Sequence, residues 1–235
     1  MKIRTDFVTN SSSSSYCVSY SVATNFKKKA VNLDFWPEGE DGSGDVYVGM
    51  KNGVDAFVDA VKKCKSVEEL ISLIINEMEF DDMIEDCEVE ATTNEELFKK
   101  LDEIAGDSEE DDDEYGGLED EMLEKVKAFK KGLAKAKELS DIKSVSIVQY
   151  YTGWGEFARD GVSDFMNEAI TEELDWDDED AVIEALGDRF AEGDIKQMID
   201  QVQNDTICQF DASITTTIDL ASGEVTKEYK FDGDN

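Results

Sequence analysis

The first regular pattern in the chain is YCVSYSV, from Tyr16 to Val22, where β-branched and aromatic residues crowd together as they do in strands. KKAVNLDFW, Lys28 to Trp36, is predicted as its hairpin partner. After the turn-rich PEGEDGSGD comes VYVGM, a short strand. The period then changes. Val54, Phe57, Val58 and Val61 recur at three- and four-residue steps, which predicts one face of a helix. SVEELISLIINEM predicts a second helix, with Ser66 as N-cap and Glu69 at the spacing of a capping box. Its apolar face carries Leu70, Ile71, Ile74 and Met78. TNEELFKKLDEIAG predicts a third, with Leu97, Leu101 and Ile104 inward and Gly106 as the stop.

A longer helix is expected from about Leu118, because Leu118, Met122, Val126, Phe129, Leu133 and Ala136 form one stripe. Acids at its start and lysines from Lys125 to Lys137 suit the helix dipole. KSVSIVQYYTGWG predicts a central strand. Val145, Ile147 and Tyr151 point one way, Val148 and Tyr150 the other, so both faces need cover. Three short amphipathic helices follow: VSDFMNEAITEEL, EDAVIEALGDRF, and DIKQMIDQVQ with Ile195, Ile199 and Val202 inward. The end predicts a hairpin. Ile214, Thr216, Ile218 and Leu220 share one strand face, Val225, Tyr229 and Phe231 another, and ASGE supplies the turn.

Strands at both ends with helices between them predict an α+β fold, a mixed or antiparallel sheet with helices packed on it. Residues 16–235 are expected to form one domain, because a terminal hairpin needs other strands to be stable. DSEEDDDEYGG, at about 107–117, reads as a flexible acidic loop, since its like charges repel and no core residue holds it down. Residues 1–15 stand apart as a serine-rich segment.

That segment, KIRTDFVTNSSSSSY with the initial Met, resembles an N-terminal signature of uncharacterised proteins of anaerobic Firmicutes: basic residues, then DFVTNSSSSS and an aromatic. The resemblance implies a bacterial origin. The family carries no established activity, so it implies no catalytic role. Physically, a serine run cannot bury enough area to offset its ordering, which predicts a solvated segment. The opposing reading docks Ile3, Phe7 and Val8 on the body. Asp6 and the polar residues after it leave no apolar core of about 7–15 residues for a signal peptide. No later run approaches the roughly 20 apolar residues of a bilayer span. A cytoplasmic, non-membrane protein is expected.

Charge narrows the function classes. The 235 residues include 58 acidic and 23 basic side chains, a net charge of −35. Such a balance opposes direct binding to a phosphate backbone or an anionic membrane. It suits either simple solubility or imitation of nucleic acid. The acids gather in a loop, at helix ends and near turns, without the even rows a duplex mimic needs, so solubility is favoured.

There is no histidine. Ser-His-Asp and Cys-His catalysis and histidine-containing zinc sites are therefore excluded within this chain. Cys17, Cys64, Cys87 and Cys208 form no C-x-x-C pair, and no disulfide is expected. DGSGDVYVGMKN places Asp41, Ser43 and Asp45 as in a calcium loop, but Val46 stands where Gly is needed and Asn52 where Glu is needed. DGSGDVYVG also lacks the third glycine of a dinucleotide fingerprint. No catalytic residue, cofactor or metal site is predicted.

YYTGWGEFARDG is the stretch that stands out. Tyr150, Tyr151, Trp154 and Phe157 surround two glycines at a strand end, and Glu156 and Arg159 add opposite charges. Tyr151, Trp154, Glu156 and Arg159 are the candidate protein-recognition residues, because rigid aromatics dominate binding hot spots. The competing reading is a structural turn whose Trp and Phe cap the core. The expected function is that of a non-enzymatic acidic protein acting through protein–protein interaction. Alternatives are an inhibitor of a basic protein that mimics nucleic acid, and a carboxylate-dependent hydrolase. Partner identity and oligomeric state leave no mark in the sequence.

Overall fold

A computed structural model describes residues 14–34, 48–80, 91–105, 116–154, 158–169, 178–204 and 209–234. The fold is α+β. Strands β1 (Ser14–Thr24), β2 (Val31–Leu33), β5 (Ile142–Trp154), β6 (Gln209–Asp219) and β7 (Val225–Asp234) form one sheet in the order β2-β1-β5-β6-β7. Strands β3 (Val48–Met50) and β4 (Met78–Phe80) form a separate antiparallel pair. Seven helices accompany them among the described residues: α1 (Val54–Val61), α2 (Val67–Glu77), α3 (Asn94–Ala105), α4 (Gly116–Leu133), α5 (Ala158–Ala169), α6 (Glu179–Leu186) and α7 (Glu192–Asn204). The chain divides into two compact units. One takes Met1–Cys17, Val148–Thr215 and Lys227–Asn235, the other Val18–Ile147 and Thr216–Thr226.

In the unit centred on α1 to α4, local sequence rules account for most elements. β1 and β2 pair antiparallel, with Tyr20 opposite Leu33 and Val22 opposite Val31. Val54, Phe57, Val58 and Val61 are all buried, as the period of α1 predicts, and Phe57 meets the Tyr20 ring at 5.4 Å between centroids. Ser66 caps α2, its hydroxyl accepting the Glu69 N–H at 3.1 Å. The Glu69 carboxylate does not return to Ser66, as the box spacing suggests, but takes the Lys65 N–H at 2.7 Å.

Helix α2 ends one residue earlier than its apolar pattern implies. Met78 turns extended and opens β4, opposite Met50 of β3. A step of four from Ile74 to Met78 fits a helix face, but β3 offers backbone partners that only the fold brings near. Asn94, the first residue of α3, closes the end of α2. Its Nδ2 donates to the Ile75 carbonyl at 2.8 Å and to the Met78 carbonyl at 2.7 Å, and its Oδ1 accepts from Lys51 Nζ at 3.2 Å. Helix C-termini leave carbonyls without intrahelical partners, and here one buried amide serves two. Beside it, the buried Glu77 carboxylate receives the Asn52 N–H at 2.7 Å and Asn52 Nδ2 at 3.0 Å.

Leu97, Phe98 and Leu101 are buried on α3, and Met122, Val126, Phe129, Leu133 and Ala136 are buried on and just past α4. The side chains of Ile104 and Leu118 lie outside the described residues. Gly116 and Gly117 belong to α4, where a loop to about 117 is predicted; the rest of that predicted loop, and Gly106, lie outside the described residues.

The Glu96 carboxylate accepts from the Thr92 N–H at 3.1 Å and the Thr92 hydroxyl at 2.8 Å, and pairs with Lys100 at 2.9 Å. The Lys100 contact, with the Thr92 bonds behind it, lowers its pKa from 4.5 to about 2. Because the folded value is depressed, the stabilisation is present above the ordinary value and is lost as pH falls through the folded one. In an NMR titration, Glu96 is expected to remain ionised at pH values where exposed glutamates have already protonated. Lys100→Met should move its midpoint upward, and a Glu96 that titrates with the other glutamates would contradict the contact.

Helix α4 runs against β2 so closely that a Cβ on Gly132 would overlap Val31 Cγ1 well inside van der Waals contact and come within 3.3 Å of Cγ2. Gly to Ala in a helix ordinarily gains up to about 1 kcal/mol. Here overpacking, which costs about 1–3 kcal/mol, outweighs that gain. Gly132→Ala is expected to lower the urea midpoint, and a raised midpoint would refute the close approach.

The other unit is built on the far halves of β5, β6 and β7 with α5, α6 and α7. Along β5, Val145, Ile147, Gln149 and Tyr151 are buried while Ser146, Val148 and Tyr150 are half-buried, so both faces are covered to different degrees. Along β6, Phe210, Ala212, Ile214, Thr216 and Ile218 alternate inward, and Leu220 falls past the strand end. Helix α5 starts at Ala158, ahead of the predicted Val162. Ile195 and Ile199 of α7 are buried and Val202 is half-buried, as predicted.

The β6–β7 turn is held by Asp219. Its carboxylate accepts from the Ser222 N–H at 2.8 Å, the Ser222 hydroxyl at 2.9 Å and the Ala221 N–H at 3.0 Å. These bonds, Ser222's first, hold its pKa below the ordinary value. Gly223 has φ 72°, the left-handed position such a loop needs. At the other end of the chain, Ser14 and Ser15 already belong to β1, so the serine run ends inside a strand. Ile3, Phe7, Val8 and the earlier serines lie outside the described residues.

Candidate protein-binding surface

The core of the α5–α7 unit is a chain of aromatic rings. Phe165 of α5, fully buried, lies edge-on to Tyr151 at 5.5 Å and to Phe190 at 5.7 Å, and stacks on Phe231 at 6.1 Å. Phe231 continues to Phe210 at 6.3 Å, and Phe190 to Tyr229 at 5.7 Å. Edge-to-face and offset pairs at such separations add to plain area burial. Val162, Met166, Val182, Leu186, Ile195 and Met198 fill the space around them.

Tyr151 therefore belongs to the core. It is 7% exposed, and its hydroxyl accepts from Gln149 Nε2 at 3.2 Å. A ring so placed is not offered to a partner. Trp154 ends β5, but its side chain lies outside the described residues, as do Glu156 and the side chain of Arg159, which sits in the first turn of α5. Of the four residues singled out from the sequence, the described residues place only the side chain of Tyr151.

Another arginine carries a visible role. Arg189, between α6 and α7, donates from Nη1 to the Ala169 carbonyl at the end of α5, and its guanidinium carbon lies 5.5 Å from the centre of the Tyr229 ring. One side chain thus closes a helix end and stacks on an aromatic of β7, which suits a planar cation more than an ammonium. The only hint in the sequence is that arginine is scarce.

With Arg189 turned inward, the outer surface of α6 and α7 is acidic. Asp178, Glu179, Asp180, Glu184, Asp188, Glu192 and Asp200 are all exposed. Asp178 caps α6, its carboxylate accepting the Ala181 N–H at 3.2 Å. Lys196 bonds Glu192 at 2.6 Å. Its pKa is raised chiefly by that bond and by the charge of Glu192, and further by the charges of Glu179 and Asp180. Acids in first helical turns complement the dipole. That explains the place of Glu179, Asp180 and Glu192, but not of Glu184, Asp188 and Asp200, which lie outside first turns. What the surface can do chemically is attract cations and basic side chains. Among the described residues no cluster of three or more acidic or cysteine side chains could hold a metal ion, and no helix is long and apolar enough to cross a membrane. The chain matches no protein-family model, no curated protein and no solved structure.

Proposed function

We propose that the protein is a non-enzymatic, cytoplasmic binding protein that acts through protein–protein contacts, with the acidic surface of α6 and α7 engaging a basic partner. One observation carries this reading: Asp178, Glu179, Asp180, Glu184 and Asp188 are exposed, while the cations of the same helices are Arg189, which serves the core, and Lys196, which is shared. Complementary charge steers encounter and selects partners more than it supplies raw affinity. Lack of histidine adds support, since it removes the side chain best suited to general base work near neutral pH.

The test is capture from a bacterial lysate with the wild-type chain and with a variant carrying Glu179→Gln, Asp180→Asn, Glu184→Gln and Asp188→Asn. The wild type is expected to retain basic proteins that elute as salt rises, and the variant to lose them while keeping its circular dichroism. Identical captured proteins for the two chains would refute the role of this surface.

A further inference from the structure

We propose that two copies of this chain associate through β7, edge to edge and antiparallel, about a two-fold axis at Tyr229. β7 is the last strand in the sheet order, and among the described residues no strand lies beyond it. The phase of its backbone follows from the turn. Asp219 N–H donates to the Glu224 carbonyl, so in an antiparallel ladder the even-numbered residues of β7 face β6 and the odd-numbered residues turn their N–H and C=O outward. At Gly233, also odd-numbered, the carbonyl accepts from Gln197 Nε2 at 2.7 Å, which agrees with that phase and marks where α7 covers the end of the edge. Lys227, Tyr229 and Phe231 thus present backbone donors and acceptors to the open edge. Such an edge is a template for another strand.

Charge selects the occupant and the register. In a chain of net −35, the stretch that pairs, Thr226 to Asp232, sets Lys227 and Lys230 against Glu228 and Asp232, so it is locally neutral and a second copy meets little repulsion there. Thr226, Glu228, Lys230 and Asp232 are exposed on the outer face, while Tyr229 and Phe231 lean on the core. A two-fold axis at Glu228 would set Glu228 against itself. An axis at Lys230 would set Lys230 against itself and Glu228 against Asp232. An axis at Tyr229 sets Glu228 of each copy opposite Lys230 of the other, with Lys227 opposite Phe231 and Thr226 opposite Asp232. Opposite charges directly across a ladder stabilise it and like charges destabilise it. Within one copy Lys230 and Glu228 lie 3.4 Å apart on the same strand, both largely exposed, so each is free to re-pair across the interface. The contact is isologous, as a closed dimer requires. Repulsion between two acidic bodies opposes it, and salt screens that repulsion over about 8 Å at 0.15 M.

Sedimentation velocity over a hundredfold range of concentration, in about 0.15 M salt, tests the proposal. A concentration-dependent monomer–dimer equilibrium is expected. K230E sets like charges opposite each other twice and should weaken the dimer about tenfold or more. The double exchange E228K with K230E restores opposite pairs at the Tyr229 register and should bring dimerisation back near the wild-type value. All three chains should share one circular dichroism spectrum, because the exchanged side chains are exposed. A monomer at every concentration, as a strand reserved for a foreign protein would give, overturns the proposal. So does a dimer insensitive to K230E, or a double exchange no tighter than K230E alone.

Discussion

Phe165→Ala is expected to cost about 3–5 kcal/mol, the range for truncating a buried aromatic. The ring is fully buried and touches Tyr151, Phe190 and Phe231, so its loss opens a cavity bordered by three other rings. Those rings come from β5, the α6–α7 connection and β7. They cannot all move inward at once, which places the cost toward the upper part of the range. Phe26 provides the contrast. It is 42% exposed, and Phe26→Ala is expected to change stability by less than about 0.5 kcal/mol. Urea unfolding of both variants checks the pair. Equal losses would mean that the aromatic chain contributes no more than a surface ring.

Asn94→Ala should be nearly as damaging, at about 2–4 kcal/mol, for a different reason. Little apolar area is lost, but the Ile75 and Met78 carbonyls lose their donor inside the protein, and each unsatisfied buried group costs about 1–3 kcal/mol. Asn94→Asp separates hydrogen bonding from volume. It keeps the size of the side chain and turns an acceptor toward two carbonyl oxygens. Those oxygens disfavour the carboxylate, so its folded pKa should lie above the ordinary value of about 3.9. Its deficit should then be smallest below that value and grow as pH rises through the folded one. Chemical denaturation at two pH values would show this. A deficit that shrinks with rising pH would imply that Lys51, bonded to Asn94 Oδ1, dominates the site.

The parts of the fold legible in the sequence are those where one face decides the outcome. Val54, Phe57, Val58 and Val61 announce α1, and Ile214, Thr216 and Ile218 announce the inner face of β6, because burial on one side imposes a period. Met78 shows the limit. Its spacing from Ile74 is helical, and only β3, far away in sequence, makes it a strand residue. Asn94 and Glu77 leave no periodic trace, since each is a single polar residue in a polar neighbourhood whose role depends on carbonyls and amides brought close by the fold. The candidate surface was legible in charge and not in geometry. The excess of acid is plain in composition, but the inward turn of Arg189, which leaves α6 and α7 so poor in free cations, depends on Tyr229 and the end of α5. Tyr151 is buried because the alternation of β5 carries it to the same face as Val145 and Ile147, a pattern stronger than its place beside glycines.

The strand order has a consequence for how the molecule is made. β1 lies between β2 and β5, yet β5 begins about 120 residues after β1 ends. At about 5–20 residues per second, a ribosome releases β1 several seconds before its inner neighbour exists. Through that interval β2, three residues long, is the one neighbour of β1 that has been synthesised. The backbone edge of β1 that pairs with β5 must therefore stay unpaired until translation reaches β5, although Phe57 of α1, whose ring meets Tyr20, is made well before then. Synthesis speed across α1 to α4 thus sets how long this edge waits for β5, and slow codons there would lengthen the interval.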